Sequence, residues 1–422
     1  MQFINYFFRI AQTKTFSESA LTTTATITSG LLGLSFFILA ARILGPASFG
    51  ILALTLAFIT LISDIASLGT DTGLIRFIGK YTHDQSKQMR FLKLGLEVKF
   101  LVWIFILVLG WLCIPLVTKS ILQKDELTIP LMFGLFGIGS ALFYSYTTSS
   151  IQAFQKFKHW AILNIGSNAL RLVACIALIL ISKVTLMNMI LIYIFVPFLF
   201  FLIGLILLPN FLFVKKELSV ASEFFSYNKW VAAIGLSGAV GARIDTFLAA
   251  KLLAITQLGI YSVAAQLTSF IPQISFALAT VAAPKLAGFH TKEEAIIYLK
   301  KLQILVLGIF LIGLLGIPLF WVLIPILYGT EYIESVTPFI VLYMAQLIFL
   351  VALPTHQAIF YFFGKPKIMF YTSFLVTVTI AISGWFFIEN FAILGAAFAV
   401  LLGNLIGLIL PAIWVLTQFL KK

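Results

Sequence analysis

Five ionisable residues, Asp64, Asp71, Arg171, Arg243 and Asp245, interrupt long apolar stretches of this chain. Charged groups in such surroundings are costly to desolvate and mark substrate or ion pathways. Arg171 carries the clearest chemistry. Its guanidinium is always charged and offers a planar fork of donors that fits phosphate oxygens. It shares one helical face with Asn164, Ser167 and Asn168, at steps of three and four. The competing structural reading is an ion pair between Arg171 and Asp64 or Asp71 that holds the fold together. A carboxylate in a low dielectric can titrate near neutrality, so Asp64 and Asp71 are also candidates for carrying a coupling ion or proton. His356, two residues after Pro354, is a third candidate, although packing as a polar core residue explains it equally. Arg243 and Asp245 are two apart, so an unbroken helix would point them to opposite sides. Asp245 shares a face with Ser237, Gly238 and Gly241 and is the expected lining residue; close helix packing accounts for the glycines as well. Gln266 and Gln273 continue a stripe with Ser262 and Ser269. Glu18, Glu97 and Lys99 lie nearer the ends of their stretches, where long side chains snorkel to the interface.

The elements that must position these groups are membrane helices. Of 422 residues, 61% are hydrophobic and 10% charged, and the mean hydropathy is +1.09. A soluble domain is about a quarter charged. Twelve apolar stretches reach the roughly 20 residues that a spanning helix needs: 19–42, 47–68, 92–117, 128–151, 160–181, 185–208, 228–250, 256–282, 301–326, 336–361, 367–388 and 393–418. They are too long for barrel strands. With the N-terminus inside, 20 basic residues fall in inner segments and five (Arg42, Lys119, Lys124, Lys183 and Lys251) in outer ones. That asymmetry predicts both termini in the cytoplasm. The net charge of +13 is spread through these short breaks, which argues against a nucleic-acid partner. Cys113 and Cys175 lie within apolar stretches, with no partner at metal spacing, and read as packing residues. Residues 1–16 place Phe3, Ile4, Phe7, Phe8 and Ala11 on one stripe, which predicts an amphipathic helix on the membrane surface.

The chain repeats itself. Leu39-Ala40-Ala41-Arg42 aligns with Leu248-Ala249-Ala250-Lys251, and Gly50 with Gly259, at an offset of 209, half the chain. Polar residues collect in the first, second, fourth and fifth stretches and again in the seventh, eighth, tenth and eleventh. A shift of six helices superposes these sets, so two six-helix halves share one topology. A helix with a polar stripe must face protein or water. The expected architecture is therefore an all-α integral membrane protein of about twelve spans, in two six-helix lobes around a central cavity lined by the striped helices. The expected boundaries are an interfacial helix at 1–16, a first lobe at 17–208, a cytoplasmic linker at 209–227 and a second lobe at 228–422. No G-x-S-x-G, H-E-x-x-H, C-x-x-C or P-loop motif is present, so no catalytic residue, cofactor or metal site is expected.

The run Ala41-Arg42-Ile43-Leu44-Gly45-Pro46-Ala47-Ser48-Phe49-Gly50, followed by Asp71-Thr72-Gly73-Leu74-Ile75-Arg76, resembles the polysaccharide-transporter family. So does its echo, Arg243-Ile244-Asp245-Thr246-Phe247-Leu248 leading into Leu258-Gly259-Ile260-Tyr261-Ser262-Val263-Ala264. That family includes the Wzx-type O-antigen flippases of the multidrug/oligosaccharidyl-lipid/polysaccharide (MOP) exporter superfamily. The resemblance implies a MATE-like fold in the bacterial inner membrane. It also implies transport of an undecaprenyl-diphosphate-linked oligosaccharide by alternating access, without enzymatic activity. No nucleotide site is present, so H+ or Na+ coupling, or the membrane potential, is the expected driving force. A multidrug exporter of the same superfamily is the main alternative, and lipid II transport a further one within the fold. A membrane glycosyltransferase or O-antigen polymerase is the alternative from another class. The mixed signs of the deep charges favour an anionic lipid over an organic cation.

Overall fold

A computed structural model describes residues 14–420. Among them, every regular element is helical. The α-helices are α1 (Lys14–Ala66), α2 (Thr70–Lys80), α3 (Gln85–Leu116), α4 (Thr128–Ala153), α5 (Phe157–Leu180), α6 (Leu186–Leu207), α7 (Leu218–Gly241) and α8 (Ile244–Leu252). They continue with α9 (Ile255–Thr268), α10 (Phe270–Ala287), α11 (Lys292–Leu315), α12 (Ile317–Tyr328), α13 (Val336–Val351), α14 (Leu353–Gln357) and α15 (Pro366–Leu420). The surface helix expected at 1–16 lies outside the described residues, apart from the three that open α1.

Among the described residues, nine helices are long and apolar enough to cross a bilayer, or ten when α7 and α8 form one bent span. Two of the nine are double length: 47 residues within α1 and 55 in α15. A span needs about 20. α1 turns at Gly45, with φ 73 and ψ 168, and α15 turns at Ala392, with φ 48 and ψ −125. Glycine adopts the positive φ without strain, and Pro46 after it cannot donate to the helix ladder. Each long helix therefore supplies two crossings, in agreement with the twelve expected.

The chain forms two compact units. One comprises the described residues up to Ile43 together with Thr55–Leu236; the other comprises Leu44–Leu54 with the residues from Ser237 onward. The first boundary is unexpected. Leu44–Leu54 packs with the second unit because the two glycines paired by the sequence repeat also meet in space. A methyl group on Gly259 would overlap the Pro46 carbonyl oxygen and lie 3.1 Å from Gly50 N. One on Gly50 would overlap the Ile255 carbonyl oxygen and Gly259 N. Only glycine lets the two backbones approach this closely.

The second boundary also differs from the sequence reading. Residues 209–236, read there as a linker and the start of the second lobe, pack within the first unit. Phe224 is buried among Phe77, Phe91 and Tyr227. Phe77 and Phe91 stack at 4.7 Å. Glu217 pairs with Arg90, Lys216 with Glu97 at 3.0 Å, and Glu223 accepts from Lys80 at 2.6 Å and Tyr81 at 2.8 Å. The bond to Glu223 raises the Lys80 pKa above its ordinary value. Helical phase alone does not reveal these contacts, because their partners lie more than a hundred residues away.

Candidate functional site

Two clusters of polar side chains are built into the first unit. One lies on α5. Asn164 Nδ2 donates to the Trp160 carbonyl at 2.8 Å, and Asn168 Nδ2 donates to the Asn164 carbonyl at 3.0 Å. Each amide thus uses its nitrogen on its own helix and turns its oxygen outward. Tyr144 of α4 donates to Asn164 Oδ1 at 3.3 Å, and Arg171 Nη1 donates to Asn168 Oδ1 at 3.4 Å. Arg171 then lies over the Tyr193 ring of α6, 4.3 Å from its centroid, a cation–π contact. Gly33 of α1 leaves room for this ladder, since a methyl there would touch Asn168 Oδ1 at 3.4 Å.

Arg171 is half-buried, and it makes no ion pair among the described residues. Its Nε is buried and bonds to nothing in the protein. A guanidinium has five N–H donors. Here one is used to orient the group and others remain for an anion. The alternative of an ion pair with Asp64 or Asp71 is not what the structure contains.

Asp71 belongs to the second cluster. Lys99 Nζ lies 2.9 Å from Asp71 Oδ1, an ion-pair contact, and donates to Asp71 Oδ2 at 3.0 Å and Ser145 Oγ at 2.8 Å. Ser67 donates to the same Oδ2 at 2.9 Å. The Lys99 side chain is 0% exposed. This corrects the reading of Lys99 as a snorkelling residue. It sits seven residues into its apolar stretch, about 10 Å along a helix, and that depth was the available signal. Asp71 stands in the first turn of α2, whose N-terminus also favours a carboxylate. Asp64 is exposed on α1.

The second unit holds the remaining candidates on separate elements. The expected span at 228–250 breaks between α7 and α8, so Arg243 caps α8 and Asp245 falls in its first turn. The face shared by Asp245 with Ser237, Gly238 and Gly241 depended on an unbroken helix and does not survive the break. Tyr261 of α9 donates to Asp245 Oδ2 at 2.5 Å. The stripe from Ser262 to Gln273 is likewise interrupted at Ser269, between α9 and α10. Gln266 is half-buried and Gln273 exposed. His356 Nε2 lies 2.8 Å from the Gly407 carbonyl oxygen, with the ring edge-on to Phe349 at 6.0 Å.

Several hydroxyls that marked the stripes are satisfied on their own helices. Thr26 donates to Thr22 O, Thr60 to Leu56 O, Thr148 to Tyr144 O and Ser262 to Leu258 O. A Ser or Thr bonded back one turn needs no wet neighbour. The amide and guanidinium groups on α5 therefore carry more functional weight than the hydroxyl stripes. Tyr144 and Tyr193 escaped the sequence reading because nothing in their spacing ties them to another helix. Among the described residues, no three His, Cys, Asp or Glu side chains gather to hold a metal ion.

A search of curated proteins finds no match. Solved structures match across nearly the whole chain. An inward-facing multidrug resistance MATE family transporter of the MOP superfamily matches with a TM-score of 0.75 at 13% identity, over 93% of this chain and 94% of that one. The lipid II flippase MurJ, in an inward closed conformation, matches at 0.72 with 14% identity, over 95% and 89%. A MOP superfamily transporter from Pyrococcus furiosus matches at 0.59 with 12% identity, over 96% and 94%. At such identities these likenesses establish the fold, which is that of the MOP transporters. The model of the family described as polysaccharide biosynthesis protein matches residues 17–290, more than half of the chain. A helical membrane chain of MOP fold that carries this family's sequence pattern over more than half of its length, the protein belongs to the polysaccharide biosynthesis protein family.

Proposed function

We propose that this protein translocates an undecaprenyl-diphosphate-linked oligosaccharide across the bacterial inner membrane, for O-antigen or related surface polysaccharide assembly, by alternating access. The observation that carries this reading is Arg171. A half-buried guanidinium held by Asn168 and Tyr193, with a buried Nε unbonded within the protein, suits a diphosphate oxygen. Asn164, Asn168 and Tyr144 beside it supply the polar surface that sugar hydroxyls require. Family membership supports a polysaccharide precursor as cargo, and the 20-to-5 split of basic residues supports cytoplasmic termini. Coupling to H+ or Na+ is assigned to Asp64. Asp64 is exposed, whereas Asp71 and His356 are half-buried.

The deciding experiment locates lipid-linked oligosaccharide in cells that lack the protein. Accumulated undecaprenyl-diphosphate-linked units, shielded from probes on the periplasmic side and cleared by re-expression, are the expected result. Unchanged lipid-linked sugars together with new sensitivity to cationic dyes would replace this reading with drug export.

A further inference from the structure

Residues 208–217 join α6 to α7 without forming a helix. Lipid-facing backbone outside a helix is not tolerated in hydrocarbon, because its N–H and C=O groups lack partners there. The segment therefore lies at or beyond the headgroup level. Several contacts keep it from rising into water. Phe211 is buried, its ring 6.2 Å from that of Tyr146. Lys156 donates to the Leu207 carbonyl at 2.9 Å, and Lys93 to that of Val214 at 2.8 Å. The stretch is thus pinned at its start by Lys156 and through its middle by Tyr146 and Lys93.

The neighbouring apolar side chains remain outside. Leu212, Phe213 and Leu218 are 54%, 88% and 89% exposed. Such residues gain most at a membrane interface, where an aromatic ring sits among headgroups. Lys215 and Lys216 stand between them and are also exposed. Lys216 contacts Glu97 at 3.0 Å, while Lys215 makes no ion pair among the described residues. Cations interleaved with exposed apolar groups at headgroup height match both parts of an anionic phospholipid: its phosphate and the top of its acyl chains.

We propose that Leu212–Leu218 is an interfacial anchor that binds anionic phospholipid headgroups through Lys215 and Lys216 while Phe213 enters the adjoining acyl layer. This binding does not depend on which cargo the protein carries, and it applies to whichever leaflet the segment faces.

The test uses the full chain in detergent micelles doped equally with phosphatidylglycerol and phosphatidylcholine, with retained lipids counted by mass spectrometry of the intact complex. The parent should prefer phosphatidylglycerol. Lys215→Gln with Lys216→Gln should lower that preference by about fivefold per lysine. Phe213→Ser, with both charges kept, should lower retention of either lipid. Lys119→Gln with Lys183→Gln removes the same charge from two exposed positions elsewhere and should leave the preference close to that of the parent. Equal losses in the two double variants would reduce the effect to net charge and overturn the proposal. So would a Lys215/Lys216 double variant that retains phosphatidylglycerol like the parent. Gel filtration checks that each variant is monodisperse, and Lys215→Gln alone replaces any double variant that aggregates.

Discussion

Lys99 and Arg171 are both cations set into the first unit, and the fold treats them in opposite ways. Lys99 is sealed: its ammonium meets Asp71 and Ser145, and Asp71 accepts in turn from Ser67. Arg171 is propped open: one N–H bonds Asn168, the guanidinium plane rests on Tyr193, and no carboxylate neutralises it among the described residues. A buried charge with its full set of partners serves the fold; breaking such a pair leaves an uncompensated charge. A charge that is oriented but not neutralised serves a ligand, since its remaining donors are worth most to an arriving anion. From sequence, Lys99 is expected to snorkel to the interface, and Arg171 to meet a phosphate, with an ion pair to Asp64 or Asp71 as the competing reading.

The sharpest way to break this contrast is Lys99→Met. It strands Asp71 and should destabilise the protein by about 3–5 kcal/mol, read as thermal unfolding in detergent; adding Asp71→Asn should recover much of the loss. A stable Lys99→Met protein that no longer transports would move Lys99 from the fold to the site. Arg171→Ala should do the reverse. Transport is expected to fall by about 10–100-fold, the worth of a charge-assisted hydrogen bond of about 1.5–3 kcal/mol, with thermal stability close to the parent. Undiminished flipping by this variant would remove Arg171 from the mechanism.

Packing supplies a yardstick free of charge effects. Gly259→Ala forces a methyl into the Pro46 carbonyl and should cost about 1–3 kcal/mol of stability. Gly235→Ala meets nothing within 4 Å and should be neutral or better. If both behave alike, the close approach of the repeat glycines is not a determinant of the fold. A smaller effect is expected at Tyr193. Tyr193→Leu removes the ring under Arg171, worth about 0.5–2 kcal/mol, and should lower transport by a few-fold to about thirtyfold, while Tyr193→Phe should retain activity. Loss in both would shift the role from the ring face to the hydroxyl.

The smallest change belongs to Lys80. Its pKa is raised by the bond to Glu223. The pair's contribution is therefore complete between the ordinary pKa values of the two groups, 4.5 for Glu223 and 10.5 for Lys80; it is lost as pH rises through the raised lysine value or falls through the lowered carboxylate value. Stability near neutrality should be flat with pH on this account, and Lys80→Gln should alter it little, because exposed pairs are screened. A clear neutral-pH dependence that disappears in Lys80→Gln would assign the pair a larger role.

Much of the site and fold was legible in the linear order of residues. Asn164, Asn168 and Arg171 could be grouped because steps of three and four on one helix are fixed by helix geometry. The twelve apolar runs, the breaks near Gly45 and Ala392 and the pairing of Gly50 with Gly259 were accessible for the same reason. Period, length and repetition are properties of the chain itself. What the sequence left open were the partners of each charge, because those depend on which helix faces which. Asp71 found Lys99 rather than Arg171. Arg171 found Tyr193, 22 positions away on the next helix. The face expected around Asp245 dissolved at the break between α7 and α8, since helical phase does not carry across it. Residues 209–236 joined the first unit through ion pairs and tilted or edge-on ring contacts with residues 76–97. Local periodicity determines where helices run and which residues share a face; only tertiary packing decides which buried charges are neutralised and which are left to meet a ligand.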